Sequence, residues 1–456
     1  MDWKEQDLKA FAERGWGLQE PGRQVDQLRT GHQIRKVLEP CGVGKGIWQW
    51  TEVEHRQNAD YAESELKAGR EVALFIPASG AATRMFQDLH QPFDRSVAQR
   101  LVDSWKSLPF AESLNEPSGE GVVEQAQDLS DQILNRLQLE HLPKGEVPFF
   151  ARSNGTFITA FEAHHEEWKQ LNGTKLIFTV SDAFRDELAL KYRSWEHVQW
   201  QVQRHQTDTL AWDVARKTLG REPNGSLIFR PGGHGALLEN LNELPCNTGL
   251  IRNVDNALDA AAQATRVTWQ RALLGALWQL EDERKVLWNE LIREEPGAAD
   301  SAWAWLSRFL LDADMPQNLE QWHFHLNRPI RVAGVVPNVG HPGGGPFWMQ
   351  DADGFVRPNI AEKSELPAGL LETGTHFNPV DLAISLCGVN GERLDLSLFA
   401  DARAYFTSEK VVQGTRLRIL ERPGLWNGAM AHWLTRFVEL PGETFAPVKT
   451  LFDLCR

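Results

Sequence analysis

Residues 71–89 read EVALFIPASGAATRMFQDL, and the fold class follows from how that stretch divides. EVALFIP is an unbroken apolar run of strand length, ASGAA is a run of small residues, and ATRMFQDL has the composition of a helix beginning directly after them. A buried strand, a tight small-residue loop and a helix make a unit that can bring backbone N–H groups to a phosphate. Small residues admit close approach, a helix N-terminus favours negative charge, and Arg84 adds a fixed cation. The Walker pattern GxxxxGK(S/T) is absent, and Ala81 and Ala82 occupy the interior of a would-be GxGxxG. Both facts argue against a P-loop kinase and a Rossmann oxidoreductase. Taken alone, the loop reads equally well as a plain strand-to-helix turn.

Working outward, residues 1–68 read as a charged N-terminal helical segment, with Leu28, Ile34, Val37 and Leu38 near helical spacing and a Gly-rich break at CGVGKG. Residues 69–456 read as one elaborated catalytic core. Within it, 86–141 form a polar helical insertion containing the turn-rich NEPSGEGV, and 381–456 complete the cleft. Short apolar strands then alternate with turns and helical runs: TKLIFTVSDAFRDEL, HVQWQVQ, SLIFRPGGHGALLENL and TGLIRNVDNALDAAAQA. That alternation predicts an α/β fold with a mixed, mostly parallel central sheet flanked by crossover helices. Residues 257–325 read as mostly helical, PIRVAGVVPN and GFVRPNIAEKSEL as strands, and HPGGGPFW at 341–348 as a turn-rich connection, a lid or a second phosphate loop.

At 456 residues the chain can bury a large core. Its net charge of −14, with no run of Lys and Arg, argues against a nucleic-acid or anionic-membrane surface. Cys41, Cys246, Cys387 and Cys455 are scattered without metal-ligand spacing, which fits reduced thiols in the cytoplasm. The charged N-terminus is unlike a signal peptide, and no apolar run approaches membrane-spanning length. The 18 tryptophans are spread through helix-like contexts such as SAWAWLSRFLL, where core packing is the better reading than a sugar-stacking platform.

Two segments carry chemistry on their own terms. In RNVDN, Asp255 ends an apolar strand, where a lone carboxylate can hold Mg²⁺ whose remaining ligands are phosphate oxygens and water. The competing reading is an Asp-Asn turn capping a helix at Ala257. In FAPVKTLFDL, Lys449 stands between a strand and a helix, which suits a directed side chain better than a loose surface lysine. RPGLWNGAMAHW at 422–433 offers Trp426 and Asn427 either to an acceptor pocket or to the core.

In order, IPASGAATRM, LPKG, PGGHGALLENL, RNVDN, IAEKSEL and FAPVKTLFDL resemble the motifs of the UDP-sugar pyrophosphorylases, over roughly residues 72–454. The family loop GGxGTR and its Pro-Lys-Gly are matched by Ser79, Gly80, Ala81, Ala82, Thr83 and Arg84, then Pro143, Lys144 and Gly145, with alanine or serine at two family glycines and the insertion between. The resemblance implies a GT-A-like nucleotidyltransferase fold, and it makes Arg84, Lys144 and Lys449 the catalytic cations with Asp255 on Mg²⁺. It further assigns Ser79, Gly80, Ala81, Thr83, Gln203, Gly233, His234 and Gly235 to the nucleotide. By the same likeness to VEYSEL and an Asn-His-Phe strand, Glu362, Ser364, Glu365, His376 and Asn378 face the second substrate. The combination of IPASGAATRM with PGGGPFW is also similar to an uncharacterised bacterial family. The implied activity is Mg²⁺-dependent joining of an NTP, UTP first, to a phosphorylated small molecule such as a sugar 1-phosphate. The alternatives are a GT-A glycosyltransferase consuming a nucleotide sugar and a non-catalytic nucleotide sensor or scaffold.

Overall fold

The computed structural model describes residues 3–31, 35–90, 92–152, 154, 156–340, 343–351, 353–367, 369–412 and 414–455, with the side chains of Asn378 and Pro379 outside that description. Ile34, His341 and Pro342, named above, therefore lie outside the described residues. The chain forms two compact units, each drawn from three stretches. Met1–Ala62, Gln203–Gly249 and Ala272–Leu440 make the first, and Glu63–Val202, Leu250–Arg271 and Pro441–Arg456 the second.

The second unit is organised by EVALFIP. Ala73–Pro77 lies parallel to Lys175–Val180, with Ala73 opposite Lys175, and Lys175–Val180 lies parallel to Val198–Val202. The strand Thr248–Arg252, of which Leu250 onward belongs to this unit, completes the order on the other side of Ala73–Pro77. Leu74, Phe75, Ile76, Leu176, Ile177 and Phe178 are all buried, as expected where helices cover both faces of a parallel sheet. Parallel neighbours need crossovers, and Ala160–Leu171 and Asp182–Lys191 supply helices for them. Thr159 and Glu162 form a capping box that starts the first of these. Residues 86–141 carry the helices Arg95–Ser104 and Val122–Asp131, packed on one another, with short turns of 3-10 and π helix around them.

In the first unit the order is Gly42–Val43, Gly46–Trp48, Leu434–Glu439, Ile330–Pro337 and His376–Ser385. All neighbours are parallel except the last pair, in which Ile330 faces Ser385. The mixed, mostly parallel α/β architecture read from the sequence is what the chain adopts. Helices Ala260–Ile292, Ala298–Leu306 and Leu319–Leu326 fill the stretch expected to be helical. Nine of the 18 tryptophans are buried and the other nine half-buried, so core packing accounts for half of the indoles. Among the described residues no helix is long and apolar enough to cross a membrane.

Three local expectations are corrected. The N-terminal segment is not helical throughout: Lys36–Pro40, Gly42–Val43 and Gly46–Trp48 are strands between its helices. Lys36–Pro40 and Gly46–Trp48 have remote partners, Val37 opposite Met349 and Ile47 opposite Phe437, and Gly42–Val43 is only two residues long beside Gly46–Trp48, so no local periodicity reveals them. HPGGGPFW is no loop at its C-terminal half, because Gly345–Gln350 is a strand paired with Val356–Ala361. A Cβ on Gly344 would lie 1.9 Å from Ala361 O, so this glycine serves strand packing. Finally, ATRMFQDL forms only the 3-10 turns Ala82–Arg84 and Gln87–Leu89, which are too short for the helix dipole expected there.

Candidate functional site

The loop after Ala73–Pro77 and the Pro-Lys-Gly motif meet in the second unit despite the insertion between them. Ala81 pairs with Pro143 in an isolated antiparallel bridge, Ala82 N donates to Leu142 O at 3.1 Å, and Lys144 N donates to Gly80 O at 3.2 Å. The insertion thus leaves and rejoins the unit at one place. Gly80 has nothing within 4 Å of a built Cβ, and Gly80, Ala81 and Thr83 are exposed while Ser79 is half-buried, so this loop presents open backbone. Arg84 is exposed and unpaired among the described residues.

Beside this loop, three side chains from distant parts of the chain converge. Asp255 follows the strand Thr248–Arg252, and its Oδ2 accepts from Lys144 Nζ at 3.2 Å and from Lys449 Nζ at 2.6 Å. Asp255 is 8% exposed, and its Oδ1 is buried with no hydrogen-bond partner. Burial raises the pKa of this carboxyl, but the two ammonium groups outweigh burial and hold it below the usual range, so Asp255 is ionised. Lys144 is pulled the other way: burial lowers its pKa, the Lys449 charge adds to that, and Asp255 opposes both. The capping reading of Asp255 fails. The helix starts at Ala260, and the cap is Asp259, whose Oδ1 accepts from Ala261 N and Ala262 N at 3.0 Å each. Lys449 is directed, as expected, but by an extended segment rather than a strand. Asp453 Oδ2 accepts from Lys449 N and Thr450 N at 2.8 Å, opening the short turn Leu451–Leu454.

A fully buried layer supports this cluster, and sequence reasoning missed it. Arg266 donates to Asn256 O at 2.6 Å, to Asn256 Oδ1 at 3.2 Å and to Thr444 O at 2.7 Å, while Val448 N donates to Asp255 O at 2.8 Å. The turn bearing Asp255 and the segment bearing Lys449 are thereby fastened together. His164 Nε2 donates to Val254 O at 3.0 Å, its ring kept neutral by burial and by the Arg252 charge. Glu167 sits among Arg252, Arg266 at 3.6 Å and Gln270 at 2.6 Å, giving the buried guanidinium groups a counter-charge. The available signal was weak: an arginine and a glutamine on the buried face of the helix that follows RNVDN.

The residues assigned to nucleobase and second substrate all lie in the first unit. Gln203 is half-buried just after Val198–Val202. The glycines of PGGHG are explained by the unit's own backbone: a Cβ on Gly235 would lie 2.0 Å from Pro423 O, and one on Gly232 2.4 Å from Thr207 O. Gly233 adopts φ 72°. His234 Nδ1 accepts from Leu425 N at 3.0 Å, so it ties two loops together. Gly235 and Ala236 also line a cavity of about 250 Å³ with Arg23, Arg422 and Glu239. Glu365 is buried and bound to Arg35 at 2.6 Å. Glu362 and Glu365 form the capping box, whereas Ser364 is exposed and, among the described residues, makes no capping hydrogen bond. The Glu362 carboxyl is raised by burial and by Glu365, and it accepts from Asn427 Nδ2 at 3.3 Å, which joins IAEKSEL to the 422–433 segment. His376 is buried between Glu439 Oε2 and Thr375 Oγ1, each at 2.8 Å. The side chain of Asn378 lies outside the described residues.

One further cluster escaped the sequence. Ligand atoms of Asp351, Asp353 and His432 lie within 4.8 Å of one another. Asp351 is already committed: Oδ1 accepts from Asp353 N and Phe355 N, and Oδ2 from Arg357 Nε at 2.8 Å. Both Asp351 oxygens are therefore occupied, which disfavours a metal ion there.

Solved structures resemble this fold. The UDP-N-acetylglucosamine pyrophosphorylase of Trypanosoma brucei aligns with a TM-score of 0.51 at 13% identity, covering 96% of this chain and 74% of that one. A variant of the UDP-glucose pyrophosphorylase of Leishmania major aligns at 0.45 and 13%, covering 99% and 77%. The likeness in fold rests on the first. No curated protein matches the chain in sequence. The DUF4301 profile, described as a domain of unknown function, matches residues 4–456, and the chain belongs to that family.

Proposed function

We propose that this chain is a Mg²⁺-dependent nucleotidyltransferase that joins an NTP, UTP as first candidate, to a sugar 1-phosphate or similar phosphorylated acceptor. An acceptor phosphate oxygen bonds to the α-phosphorus, the bond to the β-phosphate oxygen breaks, and pyrophosphate leaves. The observation that carries this reading is the convergence of Lys144, Asp255 and Lys449 beside the open Gly80 backbone. Such a transfer needs positioning and neutralisation of charge more than a covalent nucleophile, and two ammonium groups flanking a carboxylate supply both. Lys449, the more exposed of the two lysines, is the one able to turn toward a bound phosphate, while Lys144 stays with Asp255.

Asp255 fits a metal role: Oδ1 is ionised, buried and unpartnered, and magnesium commonly takes one protein carboxylate with phosphate oxygens and water. Mg²⁺ held there would neutralise charge on the triphosphate. The free cysteines suit a reducing, cytoplasmic setting. Screening NTPs against sugar 1-phosphates with Mg²⁺ for pyrophosphate release tests the proposal. Release of nucleoside diphosphate from nucleotide sugars would select the glycosyltransferase instead, and tight nucleotide binding without turnover the sensor.

A further inference from the structure

Within the first unit a cavity of about 320 Å³ opens between the strand end at Trp48, the start of the helix Glu52–Lys67 and the helix Ala260–Ile292. Its lining is unlike that of a site for phosphates or for an apolar ligand. Trp48 and Trp50 supply indole surface; Gln57, Asn58 and Gln279 supply carboxamides; Glu54, Glu283 and Arg308 supply the charges. We propose that this cavity binds a neutral polyhydroxylated ligand of monosaccharide size, separately from the Asp255 cluster.

Charge excludes the other classes. Arg308 is paired with Glu283 at 2.9 Å, so no free cation awaits a phosphate. The Arg436 guanidinium covers Trp48 at 3.6 Å from the ring centroid, so a cationic ligand would meet like charge where it would seek the indole. With Glu54 and Glu283 against Arg308 and Arg436, the formal charges cancel. Hydroxyl groups both donate and accept, and the lining offers both: carboxamide N–H groups as donors and carbonyl and carboxylate oxygens as acceptors. The polar groups are held in place before any ligand arrives. Gln279 Nε2 donates to Asn58 Oδ1 at 2.9 Å, and Glu54 Oε2 accepts from Thr51 N and Oγ1 at 2.7 and 2.8 Å. With one Trp48 face taken by Arg436, Trp50 is the lining indole whose apolar surface, beside such fixed groups, suits the C–H face of a pyranose ring.

The test is titration of the full-length chain with glucose, galactose, mannose and N-acetylglucosamine, followed by tryptophan fluorescence and saturation-transfer NMR. A saturable response in the millimolar range to at least one sugar is expected. It should weaken about tenfold in Gln279→Leu and in the exposed-site variant Gln57→Ala, while persisting in Asp255→Asn. Circular dichroism and melting curves of each variant confirm that it is folded, and Gln57→Ala serves if Gln279→Leu is not. No saturable response to any of the four sugars overturns the proposal. So does a response that survives both cavity variants or disappears in Asp255→Asn, since the sugar would then bind elsewhere. None of these outcomes depends on whether pyrophosphate is released in the activity screen.

Discussion

Asp255 holds two ammonium groups on one oxygen and leaves the other buried and bare, so its replacement separates charge from shape. Asp255→Asn keeps the shape. It should abolish Mg²⁺-dependent turnover and also cost about 2 kcal/mol of stability, because Lys144 and Lys449 lose their counter-charge. The pH dependence has a defined sign. The folded pKa of Asp255 is depressed, so its stabilisation is complete above the unfolded value of about 3.9 and is lost as pH falls through the folded one. In thermal melts from pH 7 to pH 3 the gap between parent and variant should narrow once pH falls below about 3.9; a constant gap would remove Asp255 ionisation as the cause. Lys449 gives the sharper kinetic test. Lys449→Ala should lower kcat/KM by roughly 10²-fold. Without nucleotide, Mn²⁺ should bind the variant more tightly than the parent, since a cation competing for the same carboxylate is gone. Weaker or unchanged Mn²⁺ binding would place the metal away from Asp255.

At the scale of elements, the glycines of two loops predict opposite outcomes. Gly235→Ala drives a Cβ to within 2.0 Å of Pro423 O and should cost about 1–3 kcal/mol through backbone displacement. Gly80→Ala meets nothing within 4 Å, so its melting temperature should stay at the parent value. A raised KM for NTP in Gly80→Ala would then report close approach of phosphate, and an unchanged KM would deny the loop that role. The strand EVALFIP and its parallel partners were legible because burial on both faces leaves continuous apolar runs. Lys36–Pro40 and Gly46–Trp48 were not, since each is short and pairs with residues hundreds of positions away. For the site, Asp255, Lys144 and Lys449 could be named from motifs, and the structure brings them together. Glu365 and His376 belong to equally suggestive motifs but spend their polar atoms on Arg35 and Glu439. A motif shows which residue types stand in order and leaves open which of them face inward. Arg266 was invisible for the same reason: its role depends on Thr444, which only folding brings near.

At the scale of the whole molecule, neither unit is a continuous piece of chain, and this decides which deletions are informative. The second unit takes its last stretch, Pro441–Arg456, from the far end of the sequence, and Val448, Leu451, Phe452 and Leu454 are buried within that unit. At about 1.5–3 kcal/mol for each fully buried apolar side chain, removing them forfeits an amount comparable to the whole stability of a domain. Truncation before Pro441 should therefore leave the second unit unfolded, with loss of activity that reports nothing about Lys449. Arg266→Met separates the two effects. It deletes the donor to Asn256 O, leaving that carbonyl buried without it at about 1–3 kcal/mol, and it leaves Thr444 O only the longer bond from Asn256 Nδ2 at 3.4 Å. The apolar residues of the terminal stretch stay in place. The chain should fold with a lower urea midpoint, and the segment 444–449 should lose amide-exchange protection before the strand Ala73–Pro77 does. Equal protection of 444–449 in parent and variant would show that the buried apolar contacts alone dock the terminal stretch, and that Arg266 does not position Lys449 against Asp255.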